Sequence, residues 1–473
     1  MSIFVGRGTE LAYLNGRLKD VQSSGTGRLL SIRGRRRVGK SRLVAHWCDA
    51  VGAQYVFFEA SRAPRADELR LFADAVLKSN VQSASSFLGV AFDTWESALS
   101  LLIRDATPDK PMIVVLDEFP YLFNHTPHID ATIQTVWDRL IDGKAPVLLM
   151  LVGSDLHMME MLTQYDRPLY GRADEMRVQP LSPAEIAHMT GLRGAAALDA
   201  YLTCGGFPAL AERWQPGEDM WSYLERELTA TSALLVNGER MLTAEFPSTA
   251  SPRLILDAIG HGEMTFTNIS RAAGINQAGT HESLKMLLEK QVIGVMRPMG
   301  AVAGSSNLTR YFVADSYLRF WLYFLQRYFS EIERGRPDIA LEAIRAAWTS
   351  YRGTAIEPIV RASVERLILG TSLKNARYVG SYWTRTNQPQ VDLVGAKFPD
   401  SSKNKRVELV GSIKWRDNGV FDRSDFGVLQ RDGTQVPGFD GSTALIGVSR
   451  MGFASDLPLA LALGPDDLIT AWQ

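Results

Sequence analysis

Gly34 to Ser41 reads GRRRVGKS: a glycine, four residues, then Gly-Lys-Ser. Glycines at those positions let a loop turn its backbone N–H groups inward, and a helix starting there adds its positive end. The segment is therefore suited to cradling phosphate oxygens. Lys40 is expected to reach the β- and γ-phosphates and the Ser41 hydroxyl to sit on Mg²⁺. Arg35, Arg36, Arg37, Val38 and Gly39 supply the rest of the loop, and Arg42 opens the helical run RLVAHW after it. Ahead of the loop, Leu29, Leu30, Ser31 and Ile32 read as a buried strand. Strand–loop–helix context separates a phosphate site from a basic surface turn that fits the pattern by chance.

A second chemical pair closes the run Pro111–Glu118 (PMIVVLDE). Continuous apolar residues predict a strand buried on both faces of a parallel sheet, with its acids at the carboxyl end where open α/β sheets hold ligands. Asp117 is the expected Mg²⁺ partner and Glu118 the general base on water. The plainer alternative makes both acids N-caps of the next segment. Gln54–Glu59 predicts another strand, and Val147–Val152 one more, ending at Gly153-Ser154. Ser154 at that tip could sense a γ-phosphate or cap a helix over 155–163.

These groups must be positioned by a chain of 473 residues, long enough for about three domains. Hydrophobic residues make up 46% and charged residues 22%, with a formal net charge of −1. No global field draws such a chain onto nucleic acid, so any DNA contact must come from local patches. Cys48 and Cys204 are too few for a disulfide framework or a structural zinc site. The start MSIFVGRGTEL lacks the sections of a signal peptide, and Tyr317–Phe329 is interrupted by Arg319, Gln326 and Arg327. A cytoplasmic, reducing location without membrane contact is the expectation.

Phe4, Val5, Gly6 and Arg7, with Glu10 and Leu11 in a helix over 9–18, resemble the opening signature of the archaeal-type ATPases, relatives of AAA+ and STAND nucleotide switches. Gly8 stands where that family often has Glu. The resemblance implies ATP and Mg²⁺ as cofactors, with this segment against the adenine. Pro168–Arg172 (PLYGR), before a strand expected over 176–181, is similar to the family's phrase ahead of its last core strand. It makes Arg172 a candidate for the positive charge on the γ-phosphate, from its own or a neighbouring subunit. Thr203–Pro208 (TCGGFP) resembles the Gly-x-Pro turn of STAND lids, which implies Pro208 as a second adenine wall.

The implied fold class is α/β: a P-loop NTPase core with an AAA-like parallel sheet over 1–183, and a helical lid over 184–248. A winged helix over 249–315, a helical connector over 316–350 and an α+β restriction-endonuclease-like domain over 351–473 follow. In the winged helix, Leu254, Ile255, Leu256 and Ile259 form the expected first apolar face, and 300–307 the wing loop. On DNA, Gln277, Thr280, His281 and Lys285 would face the major groove and Arg310 would touch a phosphate. Such modules also dock proteins or cover nucleotide sites. Asp315–Trp321 (DSYLRFW) resembles the start of the family's closing domain, and Phe320, Trp321, Phe324 and Tyr328 predict a packed helix face.

In the last domain Glu357, Asp392 and Lys414 match parts of a PD-(D/E)XK site, which needs two carboxylates on a metal and a lysine. Here the closing phrase is Gly411-Ser412-Ile413-Lys414-Trp415, so Ser412 replaces the second carboxylate. Glu408 shares its strand face but lies about 13 Å along it. The expectation is a nuclease fold that has lost cleavage. Three readings follow: an ATPase driving these modules on DNA, a STAND-like switch that assembles with a protein partner or with itself, or an ATP-gated nuclease.

Overall fold

The computed structural model describes residues 4–142, 144–229, 231–246, 250–299, 308–399 and 406–473. They form two compact units: Gly6–Pro180, and Leu181–Gln473 together with the segment ending at Val5.

The first unit is built on strands β1 (Arg28–Arg33), β2 (Gln54–Glu59), β3 (Met112–Asp117), β4 (Val147–Gly153) and β5 (Ala173–Arg177). They pair in the order β2-β3-β4-β1-β5, every pair parallel. Strands β3 and β4 are buried along their whole length, as uninterrupted apolar runs require. Helices Gly8–Ser24 and Lys40–Val51 lie where the sequence predicts them. Beside β2, Phe58, Phe72 and Trp95 meet with ring centroids 5.3–5.6 Å apart, anchoring the helices Arg65–Leu77 and Trp95–Ile103. Because the strands run one way, the loops after β1, β3 and β4 all leave from one edge of the sheet. Strand β5 begins earlier than 176: Ala173 pairs with Leu29 and Arg177 with Arg33, which brings Met176 beside Ile32 in the buried layer.

The second unit opens with helices. Pro183–Thr190 starts on a capping box between Ser182 and Glu185, and Gly194–Cys204 and Pro208–Ala211 follow. Helices Ser251–Gly260, Phe266–Ala273 and Gln277–Glu289 then lead into an antiparallel hairpin, β6 (Ile293–Met296) and β7 (Arg310–Val313). The expected wing loop, 300–307, lies outside the described residues. Ile255, Leu256 and Ile259 are buried, whereas Leu254 is 43% exposed, one helical step off the apolar face. Phe320, Trp321 and Phe324 pack inward as predicted; Trp321 Nε1 donates to the Leu235 carbonyl at 2.7 Å. Strands β8 (Tyr378–Trp383), β9 (Gln390–Ala396) and β10 (Leu409–Lys414) form an antiparallel meander. Helix Arg423–Gly433 crosses to β11 (Ala444–Ser449), parallel to β10, and β12 (Leu461–Leu463) closes the sheet.

The stretches expected as a separate lid and a separate last domain are one packed body. Asp199, on the helix Gly194–Cys204, accepts from both terminal nitrogens of Arg450 at 3.2 and 2.8 Å, and Arg352 lies 3.6 Å away. Burial pushes the Asp199 carboxyl up, against the pull of Arg450 and Arg352. Arg352 is 2% exposed, so losing Asp199 leaves two cations, Arg352 and Arg450, sharing only the half-exposed Asp417 at 2.7 and 3.4 Å. Asp199→Asn should cost about 3 kcal/mol, read as a lowered urea midpoint by circular dichroism. Glu225→Ala, which removes the exposed pair with Arg345, should cost less than about 1 kcal/mol.

Candidate functional site

The loop between β1 and the helix Lys40–Val51 needs its glycines. Gly39 sits at φ +91°, and a Cβ on Gly34 would stand 2.4 Å from the Val178 carbonyl oxygen. Gly34 therefore lets the loop start against the end of β5. Lys40, 5% exposed, donates to the Gly34 and Arg35 carbonyls at 2.9 and 3.0 Å. Burial lowers its pKa to about 8, although Glu118 and Asp117 draw it upward.

Asp117 ends β3 at 1% exposure, and its Oδ1 accepts the Glu118 N–H at 3.0 Å. Burial raises its pKa; hydrogen bonds from the Ser41 hydroxyl and the Glu118 N–H oppose that rise. Its Oδ2 is buried with no hydrogen-bond partner. A desolvated carboxylate oxygen beside a serine hydroxyl fits a hard divalent cation, and Mg²⁺ takes few protein ligands, filling its shell with water and phosphate. Ser41 and Asp117 would hold it. Glu118 adopts φ +48° and makes no capping bond, so the helix-cap alternative fails for its side chain. Its carboxylate accepts from Ser154 Oγ at 2.9 and 3.2 Å. Asp155, not Ser154, caps the helix Leu156–Met161. Ser154 thus orients Glu118.

Arg7 sits at φ +63° and donates to the Val38 and Gln179 carbonyls at 2.7 and 2.6 Å, with Glu10 at 2.9 Å. It braces the phosphate loop. Sequence reasoning missed Tyr121 and Arg62. The Tyr121 hydroxyl accepts from Arg36 at 3.3 Å, and the Arg62 guanidinium lies 4.0 Å over its ring. Their signal was positional: each follows the end of a core strand within four residues.

Arg172 requires a correction. Register sets it level with Arg28, at the amino end of the sheet, five residues before the loop-side end of β1. That is about 16 Å of strand. Its guanidinium instead forks onto Asp138 at 2.8 and 3.0 Å and binds the Pro168 carbonyl. It does not reach its own subunit's loop. Pro208 opens its short helix in the second unit, and Phe4 and Val5 group with that unit as well. The turn before Pro208 is tightly packed: a Cβ on Gly205 would meet the Tyr317 backbone nitrogen at 2.9 Å.

Among the expected DNA contacts, Gln277, His281 and Lys285 are exposed at intervals of four on one helix. Thr280 is not: it is fully buried, with Oγ1 3.4 Å from the Ile275 carbonyl. Arg310 also departs from its expected role, since it lies 4.2 Å over the Trp383 ring and donates to Asn387 Oδ1 at 2.6 Å. In the last domain Asp392 Oδ2 accepts from Ser412 Oγ at 3.1 Å and from the Ile413 N–H at 2.8 Å. Glu357 pairs with Arg361 at 3.2 Å, and Lys414 lies 3.4 Å from Asp425. The three side chains are thus tied to other partners, and among the described residues no group of three or more His, Cys, Asp or Glu is placed to hold a metal.

A parallel β2-β3-β4-β1-β5 sheet, a GRRRVGKS loop after β1 and an Asp-Glu pair after β3 define a P-loop ATPase fold. Residues 321–425 match the family model DUF234, described as "Archaea bacterial proteins of unknown function". An uncharacterized protein of Methanocaldococcus jannaschii is 25% identical over 425 residues, 88% of each chain. Among solved structures, the chain is similar to a Walker-type ATPase of Pyrococcus abyssi, with 19% identity, TM-score 0.49, and 67% of this chain and 96% of that one covered. The ORC2 protein of Aeropyrum pernix gives 14% identity, TM-score 0.45, and coverage of 73% and 96%.

Glu118→Gln should keep nucleotide binding and lower ATP turnover by about a hundredfold or more, measured by phosphate release beside nucleotide titration. Arg172→Ala should change turnover per subunit by less than about twofold at protein concentrations where the chain is monomeric, because the guanidinium serves a surface pair with Asp138.

Proposed function

We propose that the chain binds ATP with Mg²⁺ on the Gly34–Ser41 loop, hydrolyses it, and uses the nucleotide state to reposition a winged helix and a nuclease-like module on DNA. One observation carries the first half: a buried, unpaired Asp117 oxygen beside Ser41, followed by a Glu118 carboxylate held by Ser154. Mg²⁺ would offset charge on the β- and γ-phosphates and fix their orientation. The chain's own residues do the rest. Lys40 exchanges its two carbonyl partners for phosphate oxygens, inward N–H groups cradle the phosphates, and Glu118 takes the proton of the attacking water. Arg36 and Arg62, bracketing Tyr121, supply positive charge beside the loop in place of Arg172.

The DNA half of this reading is supported by the exposed stripe Gln277, His281 and Lys285 at the end of a three-helix and hairpin module. The order antiparallel meander, crossover helix, parallel strand supports a nuclease-like fold, and the engagement of Asp392 with Ser412 supports loss of cleavage. The STAND-like alternative gains from the position of Arg172: a cationic finger supplied by a neighbour would make turnover depend on assembly.

ATP turnover measured with and without duplex DNA decides between them. A DNA-raised rate that Glu118→Gln abolishes supports the leading reading. In that case Lys285→Ala should weaken DNA binding across sequences and reduce its salt dependence by about one ion. Slow turnover indifferent to DNA, with ATP-dependent growth in size by light scattering, would favour the switch.

A further inference from the structure

A cavity of about 500 Å³ opens in the second unit between the hairpin module and the C-terminal sheet. The groups expected to form a nuclease centre, Glu357 and Asp392, line it, but the chemistry around them has changed. Asp392 already accepts two hydrogen bonds through one oxygen, and Lys414 is drawn to Asp425. What the cavity gains is guanidinium: Arg310, Arg319, Arg361 and Arg385 face Glu263, Glu357 and Asp392.

Two of these arginines are poorly satisfied. Arg361 is 7% exposed; one terminal nitrogen pairs with Glu357 and reaches the Asp392 carbonyl only at 3.5 Å, while the other meets the Met296 sulfur at 3.2 Å, a weak acceptor. Arg319 reaches the Thr354 carbonyl and hydroxyl at 3.4 Å each, the long limit for a hydrogen bond. Burial pushes the Arg319 and Arg310 guanidiniums down. Cations held this way accept an oxyanion far better than a divalent metal, and guanidinium forks match phosphate geometry. The volume is that of a small-ligand site.

We propose that this cavity binds a phosphate monoester, with Arg319 and Arg361 on the phosphate oxygens. The same chemistry is presented by a free mononucleotide and by the 5′-phosphorylated end of a nucleic-acid strand. The proposal is independent of ATP turnover, so it is tested in the full chain carrying Lys40→Ala, which weakens the phosphate loop. Calorimetric titrations use AMP, a 5′-phosphorylated oligonucleotide and the same oligonucleotide without phosphate.

At least one phosphorylated probe should bind. Its affinity should fall at least tenfold in Arg319→Gln and in the paired change Glu357→Gln with Arg361→Gln, which removes both charges of that ion pair together. ATP binding by the same variants with Lys40 intact reports that they fold. Binding of AMP alone identifies a free nucleotide as the source, and binding of the phosphorylated strand alone identifies a strand end. The proposal is overturned if neither phosphorylated probe binds, if the unphosphorylated strand binds equally well, or if affinity survives both cavity changes.

Discussion

A carboxylate kept dry at the end of a buried strand is the constraint on which the first unit depends. Asp117 closes a strand with every residue buried, and its outer oxygen has no hydrogen-bond partner. Such a group is costly unless something of opposite charge completes it. The surrounding architecture serves that end. The parallel sheet delivers Asp117, Ser154 and the phosphate loop to one edge, Ser41 supplies a hydroxyl, and Lys40 supplies a cation that is itself poorly solvated. Two desolvated charges of opposite sign, with Asp117 and Glu118 opposing the fall at Lys40, describe a site whose electrostatics suit a metal–phosphate pair.

Arg7 links that site to the places where the chain leaves the unit. The unit is bounded by Gly6 and Pro180, and the Arg7 guanidinium holds the carbonyls of Gln179 and of Val38 in the loop. A rearrangement of the loop that moves Val38 therefore pulls on residues next to both exits. On the other side of each exit the chain enters a body tied together by Asp199, Arg352 and Arg450. Helices, hairpin and C-terminal sheet form one piece within that body. A lid hinged separately from the last domain would have to break a buried ionic network, which is strongly unfavourable.

Much of the first unit was legible in the sequence because its signals are local. A strand buried on both faces has to be apolar throughout, and a phosphate loop has to place glycine where other residues would clash, as Gly34 would against Val178. That Arg172 does not reach its own subunit's loop was hidden for the opposite reason. Its location depends on the register of β5 against β1, and register is a property of two distant segments that neither spells out. Thr280 and Leu254 failed on rotation about a helix axis: each belongs to the expected element but lies on the other side of it. Ser154 fits two roles in the sequence, and in the structure Asp155 takes the cap.

In the last domain, framework and cavity rest on different kinds of interaction. The meander and crossover rest on backbone pairing and on core residues such as Val391, Val394 and Val410. The site itself rests on single side chains. Ser412 and the Ile413 N–H make Asp392 the acceptor of a local hydrogen-bond pair. With one carboxylate engaged, Arg361 is no longer balanced by acids alone, and Arg319 and Arg310 bring further positive charge into the same cavity. Fold and function are held by different residues here, which is why the framework was readable from pattern and the cavity's preference only from the arrangement of its arginines.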